Sequence, residues 1–544
     1  MSILPAFLLT LLLAHASQFL LPRTLHPRLT TIKPWLLQTL IIGSLFLIDL
    51  LLTQRPILSA LLTLSGLAVF LVVNQAKFQA LREPLVFSDV YLYIQVISHP
   101  RLFLPFLNIP LTIGAIAGGV TLLYLAIRLE APAFHHNSSL LYIYAAGILL
   151  LSCSLLLIRT LALQIPFSLD PAHDIRQYGF YNSLLGYALQ AGTTKNREQL
   201  QATISTQSPF IAKPIQESGP DRHESLVLPR TIRAFSPSPF AGEGLGWGDL
   251  HSKDNIIVIQ SESFFDARRL YPQINPATLA HYDQIRAKSL NSGTLAVPSW
   301  GANTLRPEFA FLSGIDNNQL GYYRFNPYQY LQNAPTPTLA AYLKQQGYYC
   351  IAIHPNSSAF FKRDKVFPLF GFDEFIDIDA FDPNDTSGPY IGDQAVQQKI
   401  TEIMMRYQGE KPLFIFAITM ENHGPLHLES VSAQEAKRYY QSAPPEQHND
   451  LSVYLRHLMN ADRMLKDLTD HLQTQQQDTL LCFYGDHVPS MPQIYNELEF
   501  SDGRTDYLIW HNRRQNEQGN RDEQALRIEE LPLTLLNLLN RDDG

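Results

Sequence analysis

The stretch LCFYGDHVPSMP, residues 481–492, runs through apolar and aromatic positions and then stops at Gly-Asp-His-Val-Pro. A strand that delivers Asp486 and His487 side by side at its end needs a reason, because both groups are costly to bury without partners. The same pattern recurs upstream. NIIVIQSE ends at Glu262, YYCIAIHP reaches His354, and PLFIFAITMENHGP ends in Glu421, Asn422 and His423. Helix-like stretches lie between these runs, at Thr338–Gln346, Gly392–Arg406 and Leu451–Gln473. Short buried runs alternating with helices predict a mostly parallel sheet wrapped on both faces by helices. In such sheets ligands sit at the carboxyl ends of the strands. Four strands are therefore expected to bring Glu262, His354, His423 and the Asp486–His487 pair to one edge.

This α/β texture begins at Asn255. Ahead of it lie five apolar runs, Leu4–Leu21, Trp35–Thr53, Ile57–Val73, Leu107–Leu129 and Leu140–Ile158. Each is close to the roughly 20 residues that cross a bilayer as a helix. They account for the composition of the 544-residue chain, which is 46% hydrophobic and 17% charged. The first run lacks a basic leader and is followed by further spans, so a cleaved signal peptide is not expected. The expected organisation is a five-span α-helical membrane domain over residues 1–160, a linker with helices over 161–254, and an α/β domain over 255–544. Within the linker, 217–254 is crowded with Pro, Gly and Ser and reads as a loop. The segment 82–97 is amphipathic and could lie on the membrane surface.

Charge excludes some functions and complicates the topology. The net charge is -8 and no basic stripe is evident, which argues against a nucleic-acid partner. A lone Asp49 inside the spans is poor support for a transporter. Three cysteines, Cys153, Cys350 and Cys482, are too few for a disulfide framework. Arg23, Arg28 and Lys33 follow span one, and Lys77, Arg82 and Arg101 follow span three, against Arg55 and Arg128 elsewhere. The positive-inside rule would put the first two loops, and with five spans the C-terminal domain, in the cytoplasm.

Carboxylates and an imidazole at one strand edge suit Mn²⁺, Zn²⁺ or Mg²⁺. The nucleophile candidate is Thr304, ahead of the helical LRPEFAFLSG. A threonine there can be a mere N-cap. A helix N-terminus is also an anion site, and a metal-bound hydroxyl there would ionise readily and attack phosphorus. Ser299 is the fallback nucleophile. In HPNSSAFFKRDKVFPLFGFDEF, Arg363 could grip phosphate in a bidentate way. In MENHGPLH, Gly424-Pro425 breaks the helix that a His-x-x-x-His zinc motif requires, so His423 stands alone as the active-site choice.

Together VIQSESFFD, TLRPEF, HPNSSAFFKRDKVF, MENHGP and YGDHVP, in that order, resemble the lipoteichoic acid synthase type of sulfatase-like phosphoglycerol transferase, in the alkaline phosphatase superfamily. The resemblance covers residues 255–540 and extends to the five-span anchor. It implies that Glu262, Thr304, Asp486 and His487 hold one divalent metal, commonly Mn²⁺, with Thr304 as nucleophile. It implies that His354, Phe361, Arg363 and His423 line a glycerol-phosphate pocket. It also implies a phospholipid donor, a glycan or glycerol-phosphate acceptor, and a catalytic domain outside the cytoplasmic membrane, against the loop charges. The family typically has Trp where this chain has Phe361. No Cys-x-Pro-x-Arg pattern surrounds Thr304, which argues against a formylglycine sulfatase, and the few cysteines argue against the disulfide-rich phosphoethanolamine transferases. The alternatives are a membrane-anchored phosphodiesterase or phosphatase using the same site, and a non-catalytic glycan-binding ectodomain.

Overall fold

The computed structural model describes residues 2–28, 31–93, 109–134, 140–211, 250, 252–333, 335–409, 411–514 and 523–540. Most of the Pro/Gly-rich insert, and the end of the amphipathic segment, lie outside the described residues. Five helices are long and apolar enough to cross a membrane: Ile3–Leu20, Ile32–Thr53, Pro56–Leu81, Thr112–Leu129 and Leu141–Leu163. Between the second and third, the chain turns on Gln54 in a left-handed conformation and restarts with Pro56 in the first turn, an exchange of C-cap for N-terminal proline that reverses direction cheaply. Asp49 accepts a hydrogen bond from the Thr63 hydroxyl at 2.7 Å, so its polarity is used in helix packing.

The third helix is two turns longer than its apolar run. Asn74, Gln75 and Lys77 end the hydrophobic pattern, yet the helix continues to Leu81. Lys77 is buried and paired with Asp89 at 2.6 Å and Glu83 at 3.5 Å, and Asn74 Oδ1 accepts from Leu85 N–H. The segment after the helix thus folds back onto Asn74 Oδ1 and the Lys77 ammonium. Beyond the fifth span, helices Pro171–Tyr178, Phe180–Gln190 and Thr194–Gln207 lead to the α/β domain.

That domain is built on strands β1 (Asn255–Ser261), β2 (Asn291–Ala296), β3 (Tyr349–Ile353), β4 (Glu374–Ile376), β7 (Leu413–Ile418), β8 (Thr479–Gly485), β9 (Thr505–His511) and β10 (Leu526–Arg527). A separate ribbon pairs β5 (Thr386–Ser387) with β6 (Tyr390–Ile391). The large sheet has the order β10-β2-β9-β8-β1-β7-β3-β4, with β9 antiparallel to both its neighbours and the other pairs parallel. Alternate residues feed two cores. Ile256, Val258, Phe414, Phe416 and Cys482 pack on one face; Ile257, Ile259, Ile415, Ala417 and Phe483 pack on the other. Burial on both faces explains the continuous apolar runs. The helices Leu339–Gln345, Asp393–Arg406 and Asn449–Thr474 match the helical stretches read from sequence within a residue or two. Cys350 and Cys482 are free and fully buried, packing as small hydrophobes.

Candidate active site

Parallel pairing in register sets the site. Ser261 at the end of β1 lies opposite Gly485 at the end of β8, so Glu262 and Asp486 leave the sheet side by side. Glycine is required at 485 because a Cβ there would come within 1.8 Å of the Phe264 carbonyl oxygen. The next residues turn inward. Asp486 Oδ1 accepts from the N–H groups of Ser263 (2.8 Å) and His487 (2.9 Å), and Glu262 N–H donates to Thr419 Oγ1 at 3.0 Å.

The outer atoms have no such partners. Asp486 Oδ2 and His487 Nε2 are buried and make no hydrogen bond. His487 Nε2 lies 3.5 Å from Glu262 Oε1 and 3.4 Å from Asp486 Oδ2, and one ligand atom from each of the three residues falls within 4.8 Å of the others. His487 Nδ1 faces the Val488 carbonyl at 3.1 Å, which orients the ring with Nε2 inward. Burial, with the adjacent Asp486 charge, pushes the Glu262 carboxyl up to about 8. Two crowded carboxylates and an imidazole with unmet polar atoms form a hole suited to a divalent cation, and the oxygen and nitrogen donors fit Mn²⁺, Zn²⁺ or Mg²⁺.

Thr304 faces this hole. Its hydroxyl lies 3.5 Å from Glu262 Oε2 and makes no capping bond to the helix Leu305–Ser313 that comes after it. The backbone at Thr304 is itself helical (φ -42°, ψ -33°), so the side chain is not held in the usual N-cap geometry. Ser299 is turned elsewhere; its hydroxyl donates to Asn303 O at 3.2 Å.

Arg363 has a partner that the sequence did not show. Its Nε and Nη2 are spent on Glu308, with Nη2 to Oε2 at 2.7 Å, and only Nη1 is buried without a partner. Glu308 takes one edge of the guanidinium fork, and the edge that carries Nη1 stays without a partner. Glu308 also accepts from Tyr328 OH at 2.7 Å. Glu308 escaped the sequence reading, although a carboxylate one turn after Thr304 in an otherwise apolar helix was a usable signal. Ser263 escaped too; its hydroxyl donates to Glu262 Oε1 at 2.9 Å.

His354, at the end of β3, is buried, and burial with the nearby Arg363 charge holds its pKa well below the ordinary imidazole value. His423 is held below the usual value by burial too, with its Nδ1 2.7 Å from Gly424 O and 3.2 Å from Tyr390 OH. Phe361 sits in a left-handed turn (φ 55°), stacks against Phe360, and places its ring 5.1 Å from the Arg363 guanidinium. His354, Arg363 and His423 are near enough that their charges act on one another or on Glu262 and Asp486.

The family profile described as Sulfatase matches residues 254–540, more than half of the chain. The chain belongs to the sulfatase family. Among its relatives, the capsular polysaccharide biosynthesis protein RkpI of Rhizobium meliloti is 27% identical over 467 residues, covering 84% of this chain and 77% of that protein. A cyclic beta-1,2-glucan modification protein of the same organism, itself described only provisionally, is 30% identical over 260 residues, 46% of this chain. The chain spans 38% of that relative's length. The lipoteichoic acid synthase of Staphylococcus saprophyticus is 24% identical over 178 residues, 32% of this chain and 26% of its own, in keeping with the resemblance read from the motifs. The membrane-embedded lipooligosaccharide phosphoethanolamine transferase A of Neisseria meningitidis aligns over 98% of this chain and 95% of its own, with a TM-score of 0.53 and 13% identity, a likeness of fold. This sulfatase-family chain thus carries five apolar helices ahead of the α/β domain, and the likeness of fold extends over both parts.

Proposed function

We propose that this sulfatase-family protein is a membrane-anchored, metal-dependent transferase. It moves a phosphoglycerol or related phospho-alcohol head group from a phospholipid such as phosphatidylglycerol to an envelope glycan or polymer. The observation that carries this reading is the uncapped Thr304 hydroxyl facing Glu262 beside the unsatisfied Asp486 and His487 atoms. The names of the two Rhizobium relatives support a glycan acceptor. In this reading residues 1–160 anchor, 161–254 link, and 255–544 catalyse outside the cytoplasmic membrane.

Glu262, Thr304, Asp486 and His487 would hold the metal. When bound, a divalent cation would supply positive charge that eases ionisation of the hydroxyl and offsets the charge on the nonbridging phosphate oxygens. Thr304 Oγ1 attacks the phosphorus. The P–O bond to diacylglycerol breaks, leaving a phosphothreonine diester. One proton leaves Thr304 and one arrives on the departing oxygen. His423 is the neutral imidazole placed to carry it, since its Nδ1 faces Gly424 O and its other ring nitrogen is left for substrate. Phe361 gives an aromatic wall, and the free Nη1 of Arg363 donates to a phosphate oxygen. An acceptor hydroxyl then attacks the diester, the P–Oγ1 bond to Thr304 breaks, and the acceptor's proton passes through His423 to Thr304 Oγ1.

The test is peptide mass spectrometry of the full-length protein with phosphatidylglycerol and Mn²⁺. A glycerol-phosphate adduct on the Thr304 peptide is expected, and none in Thr304→Ala. An adduct elsewhere, or near-normal turnover in Thr304→Ala, removes Thr304 as nucleophile.

A further inference from the structure

A cavity of about 580 Å³ lies where the third membrane helix meets the α/β domain. Four arginines line it, Arg82, Arg306, Arg324 and Arg504, together with the single carboxylate of Glu83. Two of the four are neutralised. Arg306 is paired with Glu83 at 2.7 Å, and Arg504 with Asp502 at 2.9 Å. The other two have no carboxylate partner among the described residues. Arg82 lies 3.9 Å over the Trp300 ring and donates to Phe500 O at 2.8 Å. Arg324 reaches the Leu169 carbonyl at 3.5 Å and lies against the Phe325 ring. A cavity lined by two guanidinium groups without counter-charge is a site for an anion, and the guanidinium fork suits phosphate oxygens.

Its position narrows the anion. Arg82 directly follows the third membrane helix, and Pro171, which also lines the cavity, follows the fifth by a few residues. The cavity therefore lies where lipid head groups begin. The cavity is also lined by Ala296–Trp300, which leads within four residues to Thr304. The anchor is locked to that wall. Gly301, at φ +70°, brings its Cα so near the third helix that a Cβ would lie 2.6 Å from Ala80 O, and Ser490 Oγ donates to the same oxygen at 3.0 Å.

We propose that this cavity binds the phosphodiester head group of an anionic membrane lipid, held by Arg82 and Arg324, and presents it to the loop that carries Thr304. The proposal rests on the head-group-transferase reading and adds the docking place of the lipid. Because docking needs no turnover, it is tested in the Thr304→Ala background.

Full-length Thr304→Ala protein would be placed in nanodiscs of phosphatidylcholine doped with phosphatidylglycerol, and retained lipid counted by native mass spectrometry. Enrichment of phosphatidylglycerol is expected. Arg82→Gln with Arg324→Gln should lower it roughly ten-fold, the scale of one charged hydrogen bond lost. Arg324→Lys should lose less, and Arg128→Gln, at the far end of the fourth helix, should change nothing. Unchanged enrichment in the double variant, with its thermal midpoint unchanged as a check on folding, overturns the proposal. So does displacement of the lipid by equimolar inorganic phosphate or soluble glycerol phosphate, which would make this a site for a soluble anion. A failed Thr304 adduct with intact Arg-dependent enrichment would remove the transferase reading and leave the lipid site. The converse would remove the site and leave the reading.

Discussion

Glu308 shows how a residue can position the site from behind, through Arg363. Both are buried, at 0% and 1% side-chain exposure, so each depends on the other for its charge. Breaking such a pair from one side leaves a buried charge uncompensated, at a cost of about 3–5 kcal/mol. Glu308→Gln should therefore lower the denaturation midpoint strongly and disorder Phe361 and Arg363 in the pocket; a shift below about 1 kcal/mol would show that Arg363 finds other partners. His354 gives a pH signature. Its folded pKa lies below the unfolded value of 6.5, so the unfolded chain takes up the proton first as pH falls. Stability is then lost below pH 6.5, by at most about 1.4 kcal/mol per pH unit for this one group. His354→Gln should flatten that part of the stability profile; an unchanged slope between pH 6.5 and 5 would mean the ring is already charged when folded.

Among the elements, the segment after the third membrane helix is the least expected. Glu83 holds Arg306 with two bonds, at 2.7 and 3.2 Å, and Arg306 lies two residues past Thr304. Burial opposes ionisation of Glu83, and Arg306 and Lys77 overcome it, holding the carboxyl at about 2. Glu83→Gln and Arg306→Gln should therefore be non-additive by more than about 0.5 kcal/mol in a double-mutant cycle, and Glu83→Gln should raise hydrogen exchange in the helix Leu305–Ser313. Additive effects would mean that the two elements are not coupled. The sequence could not show this. The strand ends were legible because burial on both faces makes an apolar run and its polar stop obvious. The Glu83–Arg306 pair joins residues 223 apart, and nothing local in either marks the other. For the same reason Arg363 was readable as a cation near the site, while its commitment to Glu308 was not.

At the level of the whole chain, the loop cations gain a different meaning. Lys77 is buried in ion pairs, and Arg82 lies on Trp300. These two cations serve the fold after the third helix and its contact with the α/β domain, so counting them is a poor guide to sidedness. The four clustered residues make a global prediction as well. Mn²⁺ should raise the thermal midpoint of the full-length protein, by the equivalent of about 2.7 kcal/mol at a hundred-fold excess over Kd. The shift should vanish in Asp486→Asn; a shift that persists there would place the ion elsewhere.

The length of the third membrane helix has a further consequence. Its 26 residues rise about 39 Å, against about 30 Å for the hydrocarbon core of a bilayer. The excess stands proud of the hydrocarbon, through the head-group layer, as a strut about 9 Å tall for a helix along the bilayer normal, and its tip is bolted to the loop ahead of Thr304. On the proposed function, the candidate site is then held at a set altitude above the hydrocarbon. Partners already lying in the membrane surface are within its reach, while the far end of a long polymer must come down to it.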